Sequence, residues 1–304
     1  MSLRSGSSLR ALVAAPLACA VLVGCAGNGS TASGTGPQVA AAFYPLAYVA
    51  ERVAGSHADV VNLTVPGMEP HDLELGFSQT VSLTEADLVV YEAGFQPSVD
   101  AAVQENAQGD TLDAATVVEP LSASATGDGD QEIDPHFWQD PMRMALLGDA
   151  VAARLAKLDP THAQDYEDNA LHLRADLSSL DQDYATALFD CSRRTVVVSH
   201  NAFGYLQKYG LVFEPIAGLS PGAEPTAADL ARLRELIATD AITTVFSETL
   251  VSPKLAETLA RDAGVRTAVL DPLEGPGDTG SGQDYLSLMR SNLAALTVAN
   301  GCRA

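Results

Sequence analysis

Basic residues are scarce in this chain. Seventeen Lys and Arg face 39 Asp and Glu over 304 residues, for a formal net charge of −22. Such a surface repels nucleic acid, whose binding depends on neutralising phosphates, and it draws cations only weakly from a distance. Apolar runs long enough to cross a bilayer are lacking too, since the most apolar stretch, residues 11–23, is too short for a stable spanning helix. No His-Glu-x-x-His string occurs, which removes the helical signature of a zinc hydrolase. Tryptophan appears once, at Trp138.

Cysteine is nearly as rare, with 4 in the chain. Arg4 and Arg10 precede the apolar stretch in the layout of a secretory signal peptide, residues 1–24, and Cys19 leaves with it. The stretch closes on Leu22-Val23-Gly24-Cys25, a string that resembles a bacterial lipobox, in which Cys25 carries the lipid and becomes the first mature residue. Residues 25–37, rich in Gly, Ser and Thr, then read as a flexible tether to the outer face of the bacterial cell membrane. Only Cys191 and Cys302 remain. Two thiols in an oxidising compartment are most simply a disulfide, and neither has a close histidine or thiol that would make it a metal ligand.

The rest of the chain alternates strand-like and helix-like stretches, which predicts an α/β protein with mostly parallel sheets. Strands are expected at 39–43, 59–65, 87–91 and, as a short extended piece, 116–118, with helices at 46–53, 78–85 and 99–107. Apolar spacing at 142–158 is helical. After Asp159-Pro160, a good start signal, a second helical stretch runs to about residue 189 and reads as a rigid spine. Strands at 195–199, 212–216, 242–246 and 266–270 then alternate with helices at 202–209, 227–239, 253–263 and 283–298. The expected organisation is two doubly wound lobes, 38–158 and 191–304, joined by one long helix across 159–190.

Four short stretches carry the chemistry. They read Pro70-His71-Asp72, Asp134-Pro135-His136-Phe137-Trp138, Val198-Ser199-His200 and Leu270-Asp271-Pro272. His200 and Asp271 fall at the carboxyl ends of predicted strands and His71 lies shortly past another, which is where open α/β sheets bind ligands. Three neutral imidazoles and a carboxylate match the borderline-soft preference of Zn2+, and four protein ligands leave no position for an activated water. The pattern points to carrying a metal rather than to enzymatic use of one.

These stretches, with Ala202-Phe203-Gly204-Tyr205 after His200 and the spine helix between the second and third histidines, resemble the zinc-uptake substrate-binding lipoproteins of bacterial ABC transporters. The resemblance covers about residues 38–302. It implies two lobes bridged by one long helix, the ligand set His71, His136, His200 and Asp271, and delivery of the ion to a membrane permease; the chain is expected to be a monomer. Manganese-binding relatives generally have glutamate where His200 stands, so Mn2+ is the weaker expectation. Unlike many zinc-specific members, this chain has no histidine between the first two ligands, where Ser122 to Asp134 is acidic instead.

Other polar residues have plainer readings. His57, His162 and His172 read as solvated or structural. Glu248, ending a strand in Phe246-Ser247-Glu248, is expected to orient an imidazole N–H rather than to coordinate, and Trp138 is expected to be a packing anchor that fixes His136. A lipid-anchored adhesin with a structural metal is the alternative role, and it leaves histidines at strand ends unexplained.

Overall fold

The computed structural model describes residues 36–122, 133–275 and 283–303. The expected signal segment, Cys25 and nearly all of the tether lie outside the described residues, as does most of the acidic stretch after Ser122.

The first lobe runs β1 (Gln38–Ala41), α1 (Tyr44–Ala54), β2 (Asp59–Asn62), α2 (Phe77–Glu85), β3 (Leu88–Tyr91), α3 (Pro97–Asn106), β4 (Asp110–Asp113) and a helical turn α4 (Ala115–Val118). Two long helices follow, α5 (Pro141–Leu158) and α6 (Ala163–Ala187). The second lobe contains β5 (Thr195–Val198), β6 (Val212–Pro215), α7 (Ala227–Thr239), β7 (Thr244–Ser247), α8 (Lys254–Ala263), β8 (Arg266–Val269) and α9 (Tyr285–Asn300). Each lobe holds a four-stranded sheet, ordered β2-β1-β3-β4 in one and β6-β5-β7-β8 in the other, and all the pairings are parallel. The central strands read Leu88-Val89-Val90 and Val196-Val197-Val198, apolar without alternation, because helices cover both faces of a parallel sheet.

Helix α6 has 25 residues, which spans about 37 Å at 1.5 Å per residue. It packs antiparallel on α5, with Leu173 against Gly148 and Arg174 paired with Asp149. Near its start Asn169 Nδ2 donates to the Val53 carbonyl of α1 at 3.0 Å, and near its end Tyr184 Oη donates to the Met289 carbonyl of α9 at 2.7 Å. It therefore ties the two lobes together. One apolar cluster runs continuously through both, from Phe43 and Trp138 to Phe213 and Leu270. Tyr184 is fully buried, so Tyr184→Phe, which removes only the hydroxyl, is expected to cost about 1 kcal/mol in urea unfolding. An unchanged midpoint and slope would show that the bond adds nothing.

Three local expectations are corrected. Residues 116–118, predicted extended, lie in the helical turn α4, and the edge strand is Asp110–Asp113. Asp113 Oδ1 accepts the backbone N–H groups of Ala93 and Ala115, which ends the strand and starts the turn. The helix predicted over 202–209 is a tighter 3-10 segment, Gly204–Tyr209, stopped by Gly210 in the left-handed region at φ 83°. The spine begins with a 3-10 turn, Pro160–His162, before α6 proper.

Candidate metal centre

His200 follows β5 directly, and β5 is the inner strand beside which the sheet order reverses, so its carboxyl end opens into the crevice between lobes. His71 sits on the connection from β2 to α2, where Gln96 Nε2 donates to the Pro70 carbonyl at 3.1 Å and Glu69 accepts the His71 N–H at 3.0 Å. His136 opens a short 3-10 turn, Phe137–Gln139, ahead of α5. The structure brings these three imidazoles together with a carboxylate from the segment after β8. That carboxylate belongs to Glu274, and the four ligand atoms all lie within 4.8 Å of one another.

Asp271 is thus not the fourth member of the group. Its Oδ1 accepts from the Leu273 N–H at 2.8 Å and its Oδ2 from the Thr249 hydroxyl at 3.1 Å, so the carboxylate is turned back into its own loop. Leu273 has φ 61°, and this left-handed residue redirects the chain so that Glu274 enters the cluster. Glu274 Oε1 stands 3.3 Å from His71 Nε2, 3.4 Å from His136 Nε2 and 3.2 Å from His200 Nε2, while His71 and His136 Nε2 are 3.4 Å apart. Donor atoms at the corners of a tetrahedron around zinc, at about 2.0–2.1 Å from the ion, are separated by about 3.3 Å.

Two of the imidazoles are oriented from behind. His136 Nδ1 lies 2.8 Å from Asp134 Oδ1, and His200 Nδ1 lies 2.7 Å from Glu248 Oε1. Each Nδ1–H donates to a carboxylate, which leaves each Nε2 lone pair aimed at the centre. Asp134 escaped sequence analysis. Its signal is local, an acid two residues ahead of the histidine, but it adjoins an acidic stretch that reads as solvated surface. The Gly204-Tyr205 pair supports it: Tyr205 Oη donates to the Asp134 carbonyl at 2.7 Å, and a Cβ on Gly204 would come within 2.5 Å of Asp134 Oδ2.

Aromatic rings pack against the cluster. Phe95 lies edge-on to His71 at 4.7 Å and Trp138 edge-on to His136 at 5.1 Å, with Phe43 in contact with both Phe95 and Trp138. Trp138, fully buried, also donates Nε1–H to the Pro272 carbonyl at 2.7 Å. His136 and His200 are wholly buried, whereas the His71 side chain keeps 9% of its surface exposed.

The electrostatics are those of a cation cage. Burial alone would depress the pKa of His136 and His200, but the hydrogen bonds they donate to carboxylates outweigh it. Asp134 and Glu274 raise His136, and Glu248 and Glu274 raise His200 to about 10. Burial would raise Glu274, yet the three imidazoles hold it well below the usual carboxylate range. The centre therefore favours positive charge, and proton and metal compete for the same Nε2 lone pairs.

The family model for zinc-uptake complex component A, periplasmic, matches residues 39–299. Among known proteins, the high-affinity zinc uptake system protein ZnuA of Bacillus subtilis (strain 168) is 32% identical over 299 residues, covering 92% of this chain and 94% of that protein. The zinc-binding lipoprotein AdcA of Streptococcus pneumoniae (strain ATCC BAA-255 / R6) is 35% identical over 308 residues, covering 94% of this chain. This chain spans 60% of that relative's length. The crystal structure of the Zn(II)-bound ZnuA-like domain of Streptococcus pneumoniae AdcA superposes with a TM-score of 0.74 at 34% identity, covering 87% of this chain and 99% of that one.

Proposed function

Because the chain belongs to the family of periplasmic zinc-uptake components, a family of transport proteins and not of enzymes, we propose that it captures Zn2+ between its lobes and passes it to an ABC transporter permease. His71, His136, His200 and Glu274 bind the ion through three Nε2 atoms and one carboxylate oxygen. The observation that carries this reading is the clustering of those four atoms within 4.8 Å of one another, with Glu274 Oε1 3.2–3.4 Å from all three Nε2 atoms. Four protein ligands of borderline softness suit zinc, and harder ions such as Mn2+ prefer more oxygens and higher coordination. Asp134 and Glu248 hold two of the rings in the binding tautomer. Lipidation at Cys25, supported by the string Leu22-Val23-Gly24-Cys25, keeps the protein beside its permease on the outer face of the membrane.

Elemental analysis of protein purified from its native envelope tests the proposal directly. Zinc at one equivalent per chain is the expected result, and manganese in its place would overturn it. Selectivity is tested at His200. In His200→Glu a harder oxygen donor replaces nitrogen and the new acid is set against Glu248, so zinc affinity is expected to fall and the zinc-to-manganese ratio to narrow. Competition titrations that leave the ratio unchanged would refute the role given to His200.

A further inference from the structure

Asp271 supplies no ligand atom to the cluster, yet it is 7% exposed and every one of its polar atoms is engaged. Its N–H donates to Asn292 Oδ1 at 2.9 Å and its carbonyl accepts from Asn292 Nδ2 at 2.6 Å, so α9 fixes its backbone. Its carboxylate takes the Leu273 N–H and the Thr249 hydroxyl. Leu273 is the residue at φ 61°, a conformation that a side chain larger than glycine keeps only when its surroundings enforce it. Glu274 comes next in the chain. We propose that Asp271 is a positioning residue: by pinning the Leu273 N–H it holds the left-handed turn that aims the Glu274 carboxylate at the three imidazoles.

The inference rests on the metal-capture reading above and adds to it a residue that acts without touching the ion. The turn is gripped from its other side as well. The Pro272 carbonyl accepts from both Trp138 Nε1 at 2.7 Å and Gln139 Nε2 at 2.6 Å, in the 3-10 turn that begins at His136. The Leu273 side chain is fully buried, which removes its freedom to swing the turn outward. Asp271 therefore holds the N–H edge of the peptide between Pro272 and Leu273, whose C=O edge Trp138 and Gln139 hold, and the position of Glu274 relative to His136 follows.

The chemistry separates this role from coordination. Asparagine at 271 retains an oxygen for the Leu273 N–H and an amide for Thr249, whose hydroxyl can turn to accept, whereas alanine retains neither. Zinc affinity by competition titration is measured with the visible absorption of the Co2+-loaded protein, whose bands report four-coordinate geometry. Asp271→Ala is expected to lose about tenfold to a hundredfold in zinc affinity, the range for supports of metal ligands, and its Co2+ spectrum is expected to move towards that of Glu274→Gln. Asp271→Asn is expected to keep the wild-type affinity and spectrum. Wild-type behaviour of Asp271→Ala would overturn the proposal, and so would Asp271→Asn falling as far as Asp271→Ala, which would make the charge itself the agent. Should the alanine variant fail to fold, Thr249→Val, which frees one carboxylate oxygen, is expected to shift the spectrum in the same direction, and an unshifted spectrum overturns the proposal. Glu274→Gln is the control for the underlying reading: wild-type affinity in that variant sinks the ligand assignment whatever Asp271 does.

Discussion

Saturating Zn2+ is expected to raise the thermal unfolding midpoint of the wild-type protein by on the order of 10 °C. A ligand that binds only the native state adds RT ln(1 + [L]/Kd), about 4 kcal/mol at a thousandfold excess over Kd, and each kcal/mol moves a chain somewhat smaller than this by about 2–4 °C. The four proposed ligand residues come from separate segments, on the β2–α2 connection, before α5, after β5 and after β8, so an unfolded chain has no comparable site. His136→Ala and His200→Ala are each expected to remove most of the shift. Both rings are wholly buried and both are held by a carboxylate at Nδ1, so loss of either leaves a three-ligand site and an unpaired acid. His172→Ala, on the exposed side of α6, is expected to keep the full shift. Equal shifts in all of these proteins, read by calorimetry at matched metal concentration, would refute the ligand assignment.

Removing the bridge between Cys191 and Cys302 is expected to lower stability by about 2–5 kcal/mol. The two residues are bonded in the structure across a separation of 111 in sequence. Opening so long a loop frees the denatured chain more than it disturbs the native one, because the same two segments remain paired through Arg193 N to the Asn300 carbonyl at 3.0 Å and Arg303 N to the Asp190 carbonyl at 2.9 Å. Cys191→Ser with Cys302→Ser is therefore expected to unfold several degrees lower while binding zinc with unchanged affinity, since neither cysteine is among the four ligand residues. Unfolding at the wild-type temperature in non-reducing buffer would contradict the bond's contribution.

The histidines were legible in the sequence because each stands in a short stretch whose neighbours restrain it. Pro70 and Pro135 stiffen the backbone ahead of His71 and His136, and the valine run 196–198 ends two residues before His200. Parallel sheets were legible for the same reason, in apolar strands alternating with helical spacing. The fourth member was misread because Asp271 and Glu274 lie on one loop and both are acids. Choosing between them depends on a left-handed leucine, which no pattern of residue types announces. The edge strand at Asp110–Asp113 was missed for a related reason: only Leu112 of its four residues is buried, and its aspartates serve Arg154 on α5 and the neighbouring backbone. Glu248 stands where the sequence suggested, beside an imidazole N–H, because the end of β7 lies next to the end of β5.

Among the described residues, strand pairing does not cross from one half of the chain to the other: β1 to β4 pair among themselves within residues 38–113, and β5 to β8 within 195–269. Each of these pairings is therefore made between segments of one half, which keeps loop closures short, whereas the main apolar cluster draws on both halves. His71 and His136 come from the first half and His200 and Glu274 from the second, so the cluster forms only where the two halves meet. All three imidazoles precede β6 in the chain and Glu274 follows β8, so the carboxylate is the last of the four groups to be placed.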